Sequence, residues 1–266
     1  MADFFVGLDL GQMQDFTALA ILGLDEDYLK ALRTQEQAYD RLRAMRESPF
    51  FDEVDLRVAR REIKDKLAPL PEPVYEVRYL GRLPLRTAYP EVARHVKRLL
   101  DTPPLQDNWE MATDHTGVGA AVTAQLRAEG LWFRGVVITA GSEEVRDGDV
   151  YKVPKKDLIS RPQVLLQEGN RRLKIAPSLP EANTLVEELL DYRYTISEAG
   201  NHSFGTWREG QHDDLLLALC LAVWAAERRS HPVIPVVVDT SHLPFPPLTG
   251  LPFPPTGGSF HLRAKG

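Results

Sequence analysis

Strand-like and helix-like segments alternate along most of this chain after an opening pair of strands, and this order limits the possible folds most strongly. Residues 4–10 and 17–22 are apolar runs separated by a short polar turn, which predicts a β-hairpin. The order that follows predicts an α/β protein with a mixed β-sheet flanked by helices. Further strands are predicted at 74–80, 135–140, 172–176 and 193–197, together with one that ends at residue 114. Helices are predicted at 90–100, 117–129, 155–168, 180–190 and 213–229.

Two segments depart from this alternation. Residues 25–68 are densely charged, carry apolar residues at helical spacing and break at Ser48-Pro49, so we expect a helical hairpin inserted into the main domain. Residues 231–266 are rich in proline and glycine with little charge, which predicts an extended or disordered tail. The main domain is therefore expected to span residues 1–230.

Composition excludes several classes of protein. One cysteine, Cys220, cannot form a disulfide framework or a cysteine-rich zinc cluster. The N-terminus lacks the pattern of a signal peptide, and the apolar run at 215–226 is shorter than the roughly 20 residues of a membrane span, so we expect a cytoplasmic protein.

A net charge of −6 argues against binding nucleic acid by bulk attraction, so any DNA contact must be local. One basic stretch is suited to that role, although a solvated charged face would have the same composition. It contains Lys152, Lys155, Lys156, Arg161, Arg171, Arg172 and Lys174.

Carboxylates stand at three places in the chain that the predicted fold would bring together. Asp9 lies inside the first apolar strand, where a charge is costly unless it is ion-paired or bound to a cation. Asp114 ends a predicted strand, the position at which α/β sheets bind ligands. Asp213 and Asp214 open the final helix. Asp114 and the Asp213–Asp214 pair could instead cap helices, and Asp9 could form a buried ion pair.

Carboxylates without cysteine ligands suit hard cations, which favours Mg²⁺ or Mn²⁺ over zinc. Two such ions about 4 Å apart can promote hydrolysis of a phosphodiester by in-line displacement. Without metal, the carboxylates of so dense a cluster repel one another, and we expect the site to hold a proton or to be loosely ordered.

The motifs that contain these acids resemble those of the nuclease domain of phage terminase large subunits. They are Gly7-Leu-Asp-Leu-Gly-Gln with Asp15 following, Thr113-Asp-His-Thr-Gly-Val-Gly, and His212-Asp-Asp-Leu-Leu-Leu-Ala-Leu, in the family's order. Between them, Lys155-Lys-Asp-Leu, Leu189-Leu-Asp-Tyr and Phe204-Gly-Thr-Trp-Arg extend the likeness over most of residues 4–228, the charged insertion excepted.

This resemblance implies an RNase H-like fold and metal-dependent cleavage of double-stranded DNA with little sequence preference, in viral DNA packaging. By matching position, Asp9, Asp114 and one of Asp213 or Asp214 would bind two Mg²⁺ or Mn²⁺ ions. Asp15 and His212 would lie close to that site. The protein would act in the cytoplasm of a bacterial host that carries the phage or prophage. On the charge argument given above, Lys152, Lys155, Lys156, Arg161, Arg171 and Arg172 would contact DNA.

The sequence also departs from the family. The chain has no Gly-x-x-x-x-Gly-Lys-[Ser/Thr] motif, so we expect no ATP binding and a separate packaging motor or portal protein as partner. Three alternatives stay open: a non-catalytic DNA-binding or packaging-assembly module, a Holliday-junction-type resolvase, and a fragment of an actin-like ATPase, whose first strand also carries Asp-Leu-Gly.

Overall fold

The computed structural model describes residues 2–11, 15–116, 119–167, 171–199 and 213–228. The strands of this part are β1 (Phe4–Asp9), β2 (Ala18–Leu24), β3 (Tyr75–Arg82), β4 (Trp109–Asp114), β5 (Arg134–Thr139), β6 (Val145–Asp147), β7 (Val150–Pro154) and β8 (Leu173–Ile175). The helices are α1 (Glu26–Glu47), α2 (Glu53–Lys66), α3 (Tyr89–Leu100), α4 (Gly119–Ala128), α5 (Lys155–Leu166), α6 (Ala182–Ala199) and α7 (Asp214–Glu227).

In the described residues, the strands form one mixed sheet in the order β6-β7-β5-β4-β1-β2-β3-β8. Strand β2 is antiparallel to both β1 and β3, whereas β4 is parallel to β1 and β5 is parallel to β4. A central β1 with an antiparallel β2–β3 extension on one side and parallel β4 and β5 on the other is the RNase H-like arrangement. The predicted opening hairpin and mixed sheet are confirmed.

Helices cover both faces of the sheet, because side chains of β1 alternate between two apolar cores. Phe5 packs on the face covered by α7, with contributions from α5 and α6. Val6 and Leu8 pack on the opposite face against α3 and α4. Helix α7 is apolar on every side, and all of its residues from Leu215 to Ala226 are buried, as its composition predicts.

The charged segment at 25–68 is the helical hairpin predicted from its spacing. Asp25 accepts a hydrogen bond from the Tyr28 amide at the start of α1, and Asp52 forms a capping box at the start of α2. In α1, Tyr28 and Leu32 are the buried residues, so burial is confined to its N-terminal part.

Two elements differ from the prediction. Residues 193–197 are not an edge strand but belong to α6, because no glycine or proline interrupts the chain between Pro180 and Gly200. The β6–β7 hairpin was not predicted, since β6 has three residues, all exposed, and shows no apolar alternation.

The proline-rich tail at 231–266 lies outside the described residues, and so the boundary at residue 230 stays a prediction. No helix in the described ranges has the length and hydrophobicity that a bilayer crossing requires.

Candidate acidic site

Two of the predicted acids end neighbouring parallel strands. Asp9 is the last residue of β1 and Asp114 is the last residue of β4. Leu8 is in register with Thr113, so Asp9 and Asp114 occupy the next positions along the two strands. Adjacent strands lie about 4.8 Å apart, and residues in register on parallel strands point to the same face. The two carboxylates are therefore neighbours at the carboxyl edge of the sheet.

Gly7 allows α7 to bring a second pair of acids to the same place. A Cβ atom built on Gly7 would lie 1.8 Å from the Ala218 carbonyl oxygen and 2.5 Å from the Ala222 nitrogen, so the helix rests directly on the strand backbone. Asp9 lies two residues after Gly7, on the same face of β1. Asp214 lies four residues, or one turn, before Ala218, on the same face of α7. The start of α7 therefore faces the end of β1.

Burial and mutual repulsion disfavour negative charge throughout this cluster. Asp9 is 6% exposed, and its pKa is raised well above the usual value by burial and then by the charges of Asp114, Asp213, Asp214 and Asp15. Burial also raises the pKa values of Asp114 and Asp213, against the lowering effects of Thr116 and Lys155 respectively. The ionised site therefore requires cationic compensation.

Ion pairing and helix capping each require a specific contact of the carboxylate. No basic nitrogen of the described residues lies within 4.0 Å of an Asp9 oxygen, so the ion pair that would explain its burial is not found there. Asp213 occupies the N-cap position of α7 without making a side-chain capping bond. Asp114 accepts a hydrogen bond from the Thr116 amide at 2.7 Å, which stabilises the turn after β4.

Among the described residues, the fold brings the basic side chain of Lys155 to this cluster. It follows β7 directly, and β7 is parallel to β5, so its position is also at the carboxyl edge of the sheet. Its Nζ lies 3.7 Å from Asp213 Oδ2, and its side chain is 26% exposed. Burial lowers the pKa of Lys155, while Asp213 and Asp9 oppose that shift. One ammonium group thus stands among several carboxylates.

Glu188 of α6 was not identified from the sequence. Its side chain is buried, its Oε2 accepts the Leu216 amide at 2.8 Å, and its Oε1 accepts a hydrogen bond from Arg82. Burial raises the pKa of Glu188 to about 7, although Leu216 and Arg82 favour its ionised form. Glu188 follows Glu187 directly, and a pair of glutamates in a helix is normally solvent-facing, so no sequence pattern pointed to this residue.

The remaining predicted site residues have different environments. Asp15 is exposed, yet close enough for its charge to raise the pKa of Asp9. His212 lies outside the described residues. Arg161 is ion-paired with Glu227, and Arg172 Nε lies 3.2 Å from Glu72 Oε2. Exposed side chains are found at Lys152, Lys156 and Arg171. The predicted basic stretch is thus distributed over β7, α5 and the region of β8.

The donor chemistry fits a hard divalent cation. Asp9, Asp114, Asp213 and Asp214 supply carboxylate oxygens from three separate segments, and oxygen ligands suit Mg²⁺ and Mn²⁺. Asp213 Oδ2 is buried and lies beyond hydrogen-bonding distance of Lys155 Nζ. Within the ranges that the structure describes, no three acidic, histidine or cysteine side chains are grouped closely enough to enclose an ion as they stand.

Comparison with known proteins confirms the resemblance inferred from the motifs. The chain is 27% identical over 112 residues to the terminase large subunit of Thermus phage G20c. The match covers 42% of this chain and 19% of that protein, so the chain spans about a fifth of its relative's length. No family model matches the sequence.

Two solved structures have similar shapes. The large terminase of a thermophilic bacteriophage has a TM-score of 0.47 at 13% identity, over 83% of this chain and 39% of that one. The human cytomegalovirus terminase nuclease domain has a TM-score of 0.42 at 12% identity, over 84% of this chain and 83% of that one.

Proposed function

We propose that this chain is a Mg²⁺- or Mn²⁺-dependent endonuclease that cleaves double-stranded DNA with little sequence preference. The observation that carries the proposal is the meeting of acids from β1, β4 and the start of α7 in a buried position that raises their pKa values. Lys155 Nζ lies 3.7 Å from Asp213 Oδ2, and within the described ranges no ion pair reaches the buried carboxylate of Asp9. A site with this excess of buried carboxylates is suited to divalent ions.

In this proposal, Asp9, Asp114, Asp213 and Asp214 are the metal ligands, and Asp9 stands between the β4 acid and the α7 acids. Two bound divalent ions would supply Lewis acidity that lowers the pKa of a water molecule and stabilises the leaving oxygen of a phosphodiester. Lys155 would attract the DNA phosphate and fix the orientation of the Asp213 carboxylate. Asp15 and His212 are proposed to line the same site.

The basic residues beyond Lys155 are proposed to contact the DNA backbone. Lys152, Lys156 and Arg171 have exposed side chains suited to phosphate contacts. Arg161 and Arg172 already pair with acidic residues and would have to exchange these partners for phosphate. We therefore expect the three exposed residues to contribute more to DNA affinity than the two paired arginines.

The test is cleavage of supercoiled and linear plasmids by the purified chain with Mn²⁺, with Mg²⁺, and with a chelator. We expect nicked and linear products with either metal, none with chelator, and similar rates on plasmids of unrelated sequence. Asp9→Asn and Asp114→Asn should abolish cleavage. Asp147→Asn, at an exposed carboxylate on β6, is the matched control and should cleave like the parent chain. Full activity in Asp9→Asn would refute the proposed metal site.

Other outcomes would support different functions. Selective cutting of four-way junctions would indicate a resolvase, and ATP hydrolysis would indicate an actin-like fragment. Binding to every DNA form without cleavage in Mn²⁺ would leave a DNA-binding or packaging-assembly module. We further propose, from the relationship to terminase large subunits, that the nuclease works beside a separate packaging motor or portal protein. Co-purification with the product of such a gene would test this partnership.

A further inference from the structure

Glu188 connects three elements around the start of α7. Its Oε2 accepts the Leu216 amide at 2.8 Å, and its Oε1 accepts a hydrogen bond from Arg82 at the end of β3. The Glu188 side chain is 6% exposed, and the Arg82 side chain, which is 15% exposed, lies over the Phe16 ring at 5.3 Å. The carboxylate is thus held from two sides within a buried contact between α6, α7 and β3.

The bond to Leu216 replaces one that the N-cap residue normally makes. Leu216 is the third residue of α7, and its amide is one of the first four, which have no partner inside a helix. An aspartate at the N-cap usually accepts a hydrogen bond from the second or third amide. Asp213 occupies the N-cap and makes no such bond. Glu188 satisfies this amide instead, from 28 residues away in the sequence.

The Asp213 carboxylate, which does not cap the helix, has a different orientation. Its Oδ2 is buried and directed toward Lys155, at 3.7 Å from the Nζ atom, rather than back onto the helix amides. Capping and this orientation compete for the same side chain, because a carboxylate turned onto the amides of its own helix would face away from Lys155. Asp213 can therefore face the acidic site because another residue caps α7.

We propose that Glu188 is a positioning residue that caps α7 in place of Asp213 and thereby keeps the Asp213 carboxylate turned toward the metal site, an inference that rests on the proposed function. Arg82 supports this role by pairing with Glu188 next to the negative charges of Asp213 and Asp214, which would otherwise repel it. Removal of Glu188 leaves the Leu216 amide unsatisfied, and Asp213 turns back to cap it.

Glu188 and Asp213 should be energetically coupled in Mn²⁺ binding. Glu188→Ala should weaken Mn²⁺ binding by about 10- to 100-fold, the usual effect of losing a group that orients a ligand. Asp213→Ala should weaken it as well. In the Asp213→Ala background, Glu188→Ala should cause no further loss, because the side chain that it misplaces is already absent. A general loss of packing at α7 would weaken binding in both backgrounds alike.

The experiment is calorimetric titration of the full chain with Mn²⁺ in the parent, both single variants and the double variant, far below each melting temperature. Glu110→Gln is the matched control, because Glu110 is also paired with an arginine, Arg134, but lies at the opposite edge of the sheet. It should bind Mn²⁺ like the parent. If Glu188→Ala does not fold, Arg82→Met replaces it in the experiment. Arg82→Met should weaken Mn²⁺ binding in the otherwise unchanged chain and should cause no further weakening in the Asp213→Ala background.

Each result is decisive. Parent-like affinity in the folded Glu188→Ala chain, or equal losses in both backgrounds, overturns the positioning role even when the parent cleaves DNA. Coupling without any DNA cleavage by the parent supports the positioning role and refutes the proposed nuclease. A parent chain that binds no Mn²⁺ overturns both.

Discussion

Replacement of Gly7 by alanine should separate α7 from β1 and thereby dismantle the acidic site without touching an acidic residue. The added methyl group would lie 1.8 Å from the Ala218 carbonyl oxygen and 2.5 Å from the Ala222 nitrogen, both of them backbone atoms. Backbone cannot rotate away as a side chain can. Ordinary contact begins at about 3.4 Å, so helix and strand must move apart by about 1.6 Å.

The expected cost has a stability component and an activity component. Overpacking a core typically costs ~1–3 kcal/mol, and a clash with helix backbone lies at the upper end of that range or beyond it. A displacement of about 1 Å at reacting groups can lower a rate by roughly 100-fold, so moving Asp213 and Asp214 away from Asp9 should reduce cleavage by at least that factor.

The measurements are urea unfolding and plasmid cleavage in Mn²⁺, the latter at a temperature where the variant is fully folded. Gly23→Ala in β2 is the matched control, since its new methyl group would meet the flexible Arg78 side chain at 3.2 Å and the Phe4 ring at 3.3 Å. Gly23→Ala should lower stability less than Gly7→Ala does and should retain cleavage, because a flexible side chain can shift where helix backbone cannot. Parent-like stability and cleavage in Gly7→Ala would refute the close packing of α7 on β1.

Two further predictions concern the charge of the site. Asp9→Asn should raise the unfolding free energy at neutral pH in chelator, because it removes a carboxylate whose ionisation is opposed by burial and by neighbouring acids. A lower melting temperature than the parent in chelator would contradict this. The parent chain without metal should lose stability as pH rises from about 4.5 to about 7. Burial raises the pKa of Glu188 to about 7 in the folded chain, whereas the unfolded chain loses this proton near its ordinary pKa of 4.5. The raised pKa values of Asp9, Asp114 and Asp213 act in the same direction. Urea unfolding across this pH range checks the sign, and rising stability would show that these groups are not protonated in the folded chain.

Local patterns in the sequence were sufficient for most elements of the fold. The apolar run at 4–10, the break at Ser48-Pro49 and the continuous apolar sequence of α7 each depend on neighbours within a few residues. The structure has a strand, a helical hairpin and a buried helix at these places. The position of Asp114 at a strand end was predictable for the same reason, whereas Asp9, expected inside the first strand, is the last residue of β1. Periodicity failed at residues 193–197, where Tyr194, Thr195 and Ile196 favour strand locally, although the helix begun at Ala182 continues through them.

The tertiary structure alone decided which distant groups meet. Lys155 could be recognised as basic, but its contact with Asp213 depends on β7 running parallel to β5, and β7 was not predicted. Glu188 caps α7 only because α6 packs beside the start of that helix. These contacts join residues that are 58 and 28 positions apart in the chain. Hydrogen bonds and ion pairs at such separations leave no periodic trace in the sequence, because each depends on how whole elements pack and not on the spacing of residues within one element.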